Sequence, residues 1–278
     1  MSINNILLVR GGGDLATGVA LRLHRAGIRV AVTELAQPLA VRRTVSFSEA
    51  VYEGTHTVEG VKARLIEAEQ FTAWSEAGMD EIPVIIDPDA HILSSVLFPV
   101  VIDARLIKQP PTPLPVDVPL HIGLGPGFTA GRDCHAVIET RRSHTLGRVY
   151  WTGTTQPDSG QPEGDPRRVL RAPGYGMLVG LKRIGEHCEE GEVIARIENA
   201  SIEADANNDT PILSPFKGVL RGLIRPGLTV QQGMKIGDVD ARDDVRACYL
   251  VSDKSLAIGG AVLEAALSQR EIRKLLFS

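Results

Sequence analysis

An α/β chain is predicted, with a mostly parallel, Rossmann-like sheet domain into which a small pseudo-twofold β sandwich is inserted. Three observations predict it. A strand, a glycine turn, a helix and a second strand follow one another in residues 4–34. Short apolar runs that end in Asp or Gly continue through the first half of the chain. A stretch beginning at Gly176 is then repeated 42 positions later.

The opening stretch reads "NNILLVRGGGDLATGVALRLHRAGIRVAVTE". Ile6 to Val9 form a strand that enters Gly11, Gly12 and Gly13. Leu15, Val19 and Leu23 share one helical face, and Gly27 stops the helix before a second strand, Ile28 to Thr33, ends at Glu34. The dinucleotide fingerprint requires Gly-x-Gly-x-x-Gly/Ala after a strand and an acid about 20 residues on. Ala16 fills the third position and Glu34 supplies the acid. Glycines let a phosphate approach the backbone, and the helix N-terminus favours its charge. Asp14 either caps that helix or repels a pyrophosphate. A turn that merely joins strand to helix is the plain alternative. Arg42 and Arg43 follow, either as bidentate phosphate ligands or as a solvated pair.

The next elements are read from shorter signals. A helix is expected around Glu67–Ala77. Apolar runs Ile82–Ile86, Val100–Ile102 and Leu120–Leu124 suit buried strands, with weaker candidates at Ala136–Glu139 and Arg148–Trp151. Ligands of open α/β sheets sit beyond the carboxyl ends of strands, so Asp87, Asp103 and Arg105 would line one crevice. In "GLGPGFTAGRDCH", residues 123–135, the amides around Gly125 and Gly127 can form an anion nest, with the Thr129 hydroxyl added. Adjacent strand residues point to opposite faces, which argues against a Cys134–His135 pair. Cys134 is left as a candidate sulfur or selenium carrier beside the ordinary reading of a buried thiol. No metal ligand set is expected.

Residues 156–168, rich in Pro, Gly and Ser, read as a linker. Beyond it Gly176, Leu178, Gly185, Gly191, Ile194 and Ile197 match Gly218, Leu220, Gly227, Gly233, Ile236 and Val239. Two such units cannot bury their faces alone and would pack together, over residues 169–242. The tail returns to strand and helix. Cys248–Val251 reads as a strand, and Val262, Ala266, Gln269 and Arg273 step along one helix. Residues 243–278 are therefore expected to complete the domain begun by 1–155. Asp253, Lys254 and Ser255 before Gly259-Gly260 suggest another anion site, with Ser252 or Ser255 as a simple cap the alternative.

Composition bounds the class. The chain has 278 residues, 43% hydrophobic and 23% charged, which is ordinary for a globular protein. Its net charge of -4 gives no footprint for nucleic acid. Three dispersed cysteines fit neither a disulfide framework nor structural zinc, and suit a reducing cytosol. No apolar run approaches the roughly 20 residues of a membrane helix, and the start lacks a signal-peptide pattern. A cytoplasmic protein without membrane or nucleic-acid partners is expected.

Two resemblances extend this reading. The repeat, with "SPFKGVL" leading into its second half, resembles the biotinyl/lipoyl barrel-sandwich. Carriers of that fold hold a modified lysine between the halves, whereas "ENASIEADANNDTPILSP" contains none, so no biotin or lipoate is expected. Nearly end to end, "RGGGDLATGVALRLHRAG", "TELAQPLAVRRTVSFSEAVYEG", "VIDARLIK", "IGLGPGFTAGRDCHAVIET", "GLIRPGLTVQQGMKIGDVD" and "SDKSLAIGGAVLEA" resemble the YqeB-type family. That family is associated with selenium-dependent molybdenum hydroxylases and is akin to XdhC-type maturation factors. The resemblance implies an accessory factor that binds the molybdenum-pterin cofactor, or its nucleotide form, at the glycine turn. Its partners would be a molybdenum hydroxylase apoprotein, cofactor-biosynthesis proteins and further copies of itself. It carries over no catalytic residue, and whether a reaction is catalysed stays open. An NAD(P)-dependent oxidoreductase is the alternative, although the second domain offers no acid–base constellation for one. A protein-docking scaffold is the third reading.

Overall fold

The computed structural model describes residues 5–78, 80–161, 164–198 and 209–277. Two compact units emerge: Met1–Pro38 with Ser46–Ser159 and Val251–Ser278, and Leu39–Val45 with Gly160–Leu250.

The first unit is built on strands β1 (Ile6–Arg10), β2 (Arg29–Glu34), β3 (Thr55–Val58), β4 (Val61–Leu65), β5 (Ile82–Ile86), β6 (Val100–Asp103) and β7 (Leu120–Leu124). After these come β8 (Thr129–Ala130), β9 (Ala136–Ile138), β10 (Val149–Tyr150) and β11 (Gly153–Thr154). Nine of them form one sheet in the order β10-β9-β7-β6-β1-β2-β5-β4-β3, while β8 and β11 pair separately. Pairing is parallel from β4 through to β9 and antiparallel at both edges, β3 with β4 and β9 with β10. Helices α1 (Asp14–Arg25), α2 (Ala50–Glu53), α3 (Phe71–Glu76), α4 (Asp253–Ser268) and α5 (Arg270–Phe277) complete the unit.

Strand alternation sorts the core. Ile6, Leu8, Ala31 and Val101 join Phe71, Trp74, Phe98 and Leu93 in one buried cluster. Helix α1 packs against β1, β2 and α4, and α4 packs against β7, β9 and β10. The two helices approach closely because glycines meet there: a Cβ on Gly18 would lie 2.4 Å from the Ser255 Cβ, and one on Gly259 would lie 2.8 Å from the Gly18 carbonyl oxygen.

In the second unit, β12 (Val169–Arg171), β13 (Gly176–Gly180), β14 (His187–Cys188) and β15 (Val193–Glu198) are followed by β16 (Thr210–Leu213), β17 (Gly218–Leu223), β18 (Thr229–Val230) and β19 (Lys235–Asp240). They form two four-stranded sheets, β12-β19-β17-β14 and β16-β15-β13-β18. The repeated strands are β13, β14, β15 and then β17, β18, β19. Each copy lends its short middle strand to the other copy's sheet, β14 to β17 and β18 to β13. Leu178, Ile194, Ile197, Leu220, Ile236 and Val239, all repeat positions, share the buried core.

This architecture corrects the expected fold class. The large sheet is mixed rather than a Rossmann-like parallel sheet, and the inserted region consists of two separate sheets rather than one barrel-sandwich. The physical reason lies in the connections. Only α1 is a long crossover helix; the route from β2 to β5 carries an antiparallel hairpin, and Ala104–Pro119 between β6 and β7 carries no helix. The unit boundaries also depart from those expected. Leu39–Val45 and residues 243–250 belong to the second unit. Cys248 ends a 3-10 turn, Val245–Cys248, and is buried in that unit's core, so Cys248–Val251 is not a strand. The segment where a carrier lysine would sit, 199–208, lies outside the described residues, as do 162 and 163 of the expected linker.

Candidate functional site

The carboxyl ends of β1, β2, β5 and β6 carry the buried polar side chains Arg10, Thr33, Asp87 and Asp103. From the neighbours β1 and β6 the connections run outward in opposite directions, β1 to β2 and β6 to β7. Ligands of open α/β sheets occupy the crevice at such a reversal.

The glycine turn leaves β1 here. Gly11 takes a positive φ of 93°, a conformation that L side chains rarely adopt. A Cβ on Gly12 would lie 2.9 Å from the Ser48 nitrogen. That closeness lets the Gly12 carbonyl accept the Ser48 N–H at 2.9 Å and the Thr17 hydroxyl at 3.2 Å. The Gly12 N–H in turn donates to Glu34 Oε2 at 2.6 Å, and the Leu35 N–H donates to Oε1 at 2.7 Å. Burial pushes the Glu34 carboxyl above its ordinary range, and these two backbone donors oppose the shift. Gly13 precedes α1 as its N-cap, with open space where a Cβ would stand, and Asp14 begins the helix.

Across the reversal, Asp103 is fully buried. It accepts from Arg10 Nη1 at 3.2 Å and from Arg105 Nε and Nη2 at 2.9 and 2.6 Å. Burial lowers the Arg10 pKa, and Asp103 opposes this. The hydrogen bonds to Asp103 raise that of Arg105. His121 stands on the same sheet face, because it pairs with Val101 as Gly123 pairs with Asp103. Burial lowers its pKa to about 4. Arg10 Nε, Ser48 Oγ and His121 Nε2 are buried without partners, an unusual concentration for native structure.

His121 makes stability pH-dependent in a defined direction. Its folded pKa, about 4, lies below the ordinary 6.5. Between those values the unfolded chain takes up a proton that the folded chain refuses, so acidification favours unfolding. About 3 kcal/mol of stability present near neutrality should be lost as the pH falls through this window. Urea unfolding of wild type and His121→Gln against pH checks it. The two curves should converge towards acid, and parallel curves would refute the assignment.

Other candidates are placed differently. Asp87 caps the 3-10 turn His91–Ser94, accepting the His91 and Ile92 N–H groups, each at 2.9 Å. Of the amides expected to form an anion nest, that of Gly125 is already spent within the protein. The Gly125 N–H goes to the Ile138 carbonyl, Thr129 N–H to Asp133 Oδ2, and Gly131 N–H to the Cys134 carbonyl. Gly127 is required for packing instead: a Cβ there would lie 2.5 Å from the Ile107 oxygen. Cys134 is buried, and burial raises its thiol to about 11, so the thiol stays protonated near neutrality. His135 accepts the His121 backbone N–H through Nδ1. Arg42 and Arg43 belong to the second unit, where they donate to the carbonyls of Ala247, Leu250 and Leu223. Ser252 Oγ caps α4 by accepting the Ser255 N–H at 3.1 Å, and Asp253 pairs with Arg142. Sequence reasoning missed Arg10, Ser48 and His121. The signal available for His121 was a lone polar residue inside an apolar run, "PLHIGL". Among the described residues no cluster of three or more His, Cys, Asp or Glu side chains could hold a metal, and no helix is long and apolar enough to cross a membrane.

The fold and these polar residues define an α/β protein with a glycine turn at a strand-order reversal. Its likeness is of the YqeB type. Over 269 residues the chain is 43% identical to "Uncharacterized protein YqeB" of Escherichia coli (strain K12), covering 95% of this chain and 48% of the relative. The chain thus spans about half the length of the curated relative it matches. No family model matches it. Among solved structures it is similar to an aspartoacylase family protein from Mesorhizobium loti, 12% identical, covering 86% of this chain and 85% of that one, with a TM-score of 0.27. A succinylglutamate desuccinylase/aspartoacylase from Rhodobacter sphaeroides is 13% identical, with 86% of each chain covered and a TM-score of 0.28. At these scores the likeness carries no argument about activity. None of these three proteins is described by molybdenum, selenium or hydroxylase maturation. The accessory role expected from the family resemblance is corrected accordingly and set aside.

Proposed function

We propose that the first unit binds a nucleotide-bearing small molecule at the carboxyl end of its sheet, the Gly11–Gly13 turn beneath the phosphate and Glu34 against a ribose hydroxyl. The observation that carries this reading is the 2.6 Å hydrogen bond from Gly12 N–H to Glu34 Oε2. It brings the acid of β2 to the turn after β1, where a sugar and its phosphate would be met together. A carboxylate offers about four lone-pair sites, and Gly12 and Leu35 use two of them. The remaining sites suit hydroxyl donors. Open space over Gly13 at the start of α1 leaves room for a phosphate, which the helix N-terminus favours. A ribose bearing a 2′-phosphate is disfavoured by the Glu34 charge.

Calorimetric titration with AMP, NAD+, NADP+ and a pterin dinucleotide tests the reading. Saturable binding is expected for a nucleotide with a free 2′-hydroxyl. Glu34→Gln keeps an acceptor for Gly12 but loses the charge, so binding should weaken about ten- to a hundredfold, the worth of a hydrogen bond to a charged group. Heats no larger than dilution for all four ligands would refute the proposal.

A further inference from the structure

Few large apolar side chains of the first unit are left in solvent, and two of them flank Glu34. Among the described residues of that unit they are Leu35, Ile86, Trp151 and Phe277. Leu35 follows Glu34 directly, and Ile86 ends β5, whose other four residues are buried. We infer that Ile86 and Leu35 seat a nucleobase, the flat face of the ring resting on them while its sugar is held at Glu34. The inference rests on the reading of Gly11–Gly13 and Glu34 as phosphate and ribose sites, and adds which strand takes the other end of the ligand.

Strand register places the base. Glu34 stands opposite Ile86 in the parallel pairing of β2 with β5, so their side chains leave the sheet on the same face. The Asp87 N–H donates to the Glu34 carbonyl at 3.0 Å and fixes the two strand ends side by side. β2 lies between β1 and β5, and Glu34 reaches towards β1 through its bond to the Gly12 N–H. Glycine turn, carboxylate and isoleucine therefore follow one another across three neighbouring strands. Two strand spacings, about 10 Å, separate the first from the last, which is the reach of a nucleoside monophosphate. Phosphate, sugar and base would be met in that order.

A single exposed isoleucine or leucine is ordinary on a protein surface. Here two branched aliphatic side chains adjoin one carboxylate, and the base is the part of a nucleotide whose faces gain from leaving water. The neighbouring acids do not oppose it. Asp87 spends its two carboxylate oxygens on the His91 and Ile92 N–H groups. A neutral ring, unlike a further phosphate, carries no charge for Glu34 or Asp87 to repel.

The test compares AMP with ribose 5-phosphate, which keeps the sugar and phosphate but lacks the base, on the intact chain. AMP should bind at least about tenfold more tightly, as expected when apolar surface is withdrawn from water on both partners. Ile86→Ser and Leu35→Ser should each narrow that difference about three- to tenfold. In 1H–13C spectra of protein labelled at the isoleucine methyls, Ile86→Val assigns the Ile86 δ1 resonance. AMP should shift it upfield through the ring current of the base, and ribose 5-phosphate should not. Equal affinity for the two ligands, or an Ile86 methyl unmoved at AMP saturation, overturns the inference and leaves the phosphate and ribose sites standing. Failure of both ligands to bind overturns the nucleotide reading, and this inference with it.

Discussion

Gly18→Leu should lower folding stability by about 3 kcal/mol, whereas Gly260→Ala on the facing helix should raise it by about 0.5–1 kcal/mol. The opposite signs follow from where each Cβ would go. At Gly18 it meets the Ser255 Cβ at 2.4 Å and the Ser255 backbone at 2.9 Å, so α1 and α4 must separate. Gly259 closes the contact from the other side, its Cβ position 2.8 Å from the Gly18 oxygen. Forced separation removes dispersion contacts along both helices as well as straining rotamers. Gly260 is exposed and has open space where a Cβ would stand, so alanine there only removes freedom from the unfolded chain. For a domain of this size the Gly18 variant should melt about 6–12 °C lower. Thermal unfolding followed by circular dichroism measures both shifts. A Gly18→Leu protein that melts with wild type would mean that the helices are not in register as described.

What the sequence reveals, and what it conceals, divides by how many residues speak together. The opening strand, helix and strand combine an apolar run, a 3.6-residue periodicity and a stop at Gly27, three agreeing signals. The hairpin of β3 and β4 has no such agreement. In "THTVEGVKARL" only Val58, Val61 and Ala63 are buried, and most of the other residues are polar. Its turn, Glu59-Gly60, has positive φ at both residues without the Asn-Gly or Asp-Gly signature that usually announces it. That hairpin, absent from the sequence reading, adds an antiparallel edge to a sheet expected to be mostly parallel. The Gly11–Gly13 turn and Glu34 are legible because a fingerprint fixes their spacing, but the 2.6 Å bond between them is not, since it depends on rotamer and register. Asp103 and Arg105 were visible as a strand end. Arg10 was not, because a charged residue before three glycines reads as the start of a loop, although here it closes β1 and is buried. Arg42 and Arg43 show the converse. A pair that looks designed for phosphate donates to backbone carbonyls of the second unit.

Asp103→Leu should cost the protein about 3–5 kcal/mol, the largest loss expected of any single change in the candidate site. The side chain of Asp103 is fully buried and that of Arg10 only 5% exposed. Removing the carboxylate leaves the Arg10 guanidinium with the Pro88 carbonyl as its remaining hydrogen-bond acceptor, at 3.0 Å. An uncompensated buried charge then outweighs any gain from the added apolar surface, which at about 25 cal/mol per Å2 supplies at most 1–2 kcal/mol. Arg105 is the weaker member. Its side chain is 31% exposed, so water screens its pairing with Asp103, and Arg105→Ala should cost only about 1 kcal/mol or less. The double variant Arg10→Met with Asp103→Leu separates a charge penalty from a packing penalty. With neither of the two buried charges present only the more exposed Arg105 loses its partner, and the double variant should be more stable than Asp103→Leu alone by about 2 kcal/mol. Urea unfolding of the three proteins and wild type gives the comparison. If Asp103→Leu loses less than the exposed-arginine variant, the Arg10–Asp103 pair does not hold the ends of β1 and β6 together. The glycine turn, whose Gly11 lies against Ala104 and Arg105, would then need another anchor.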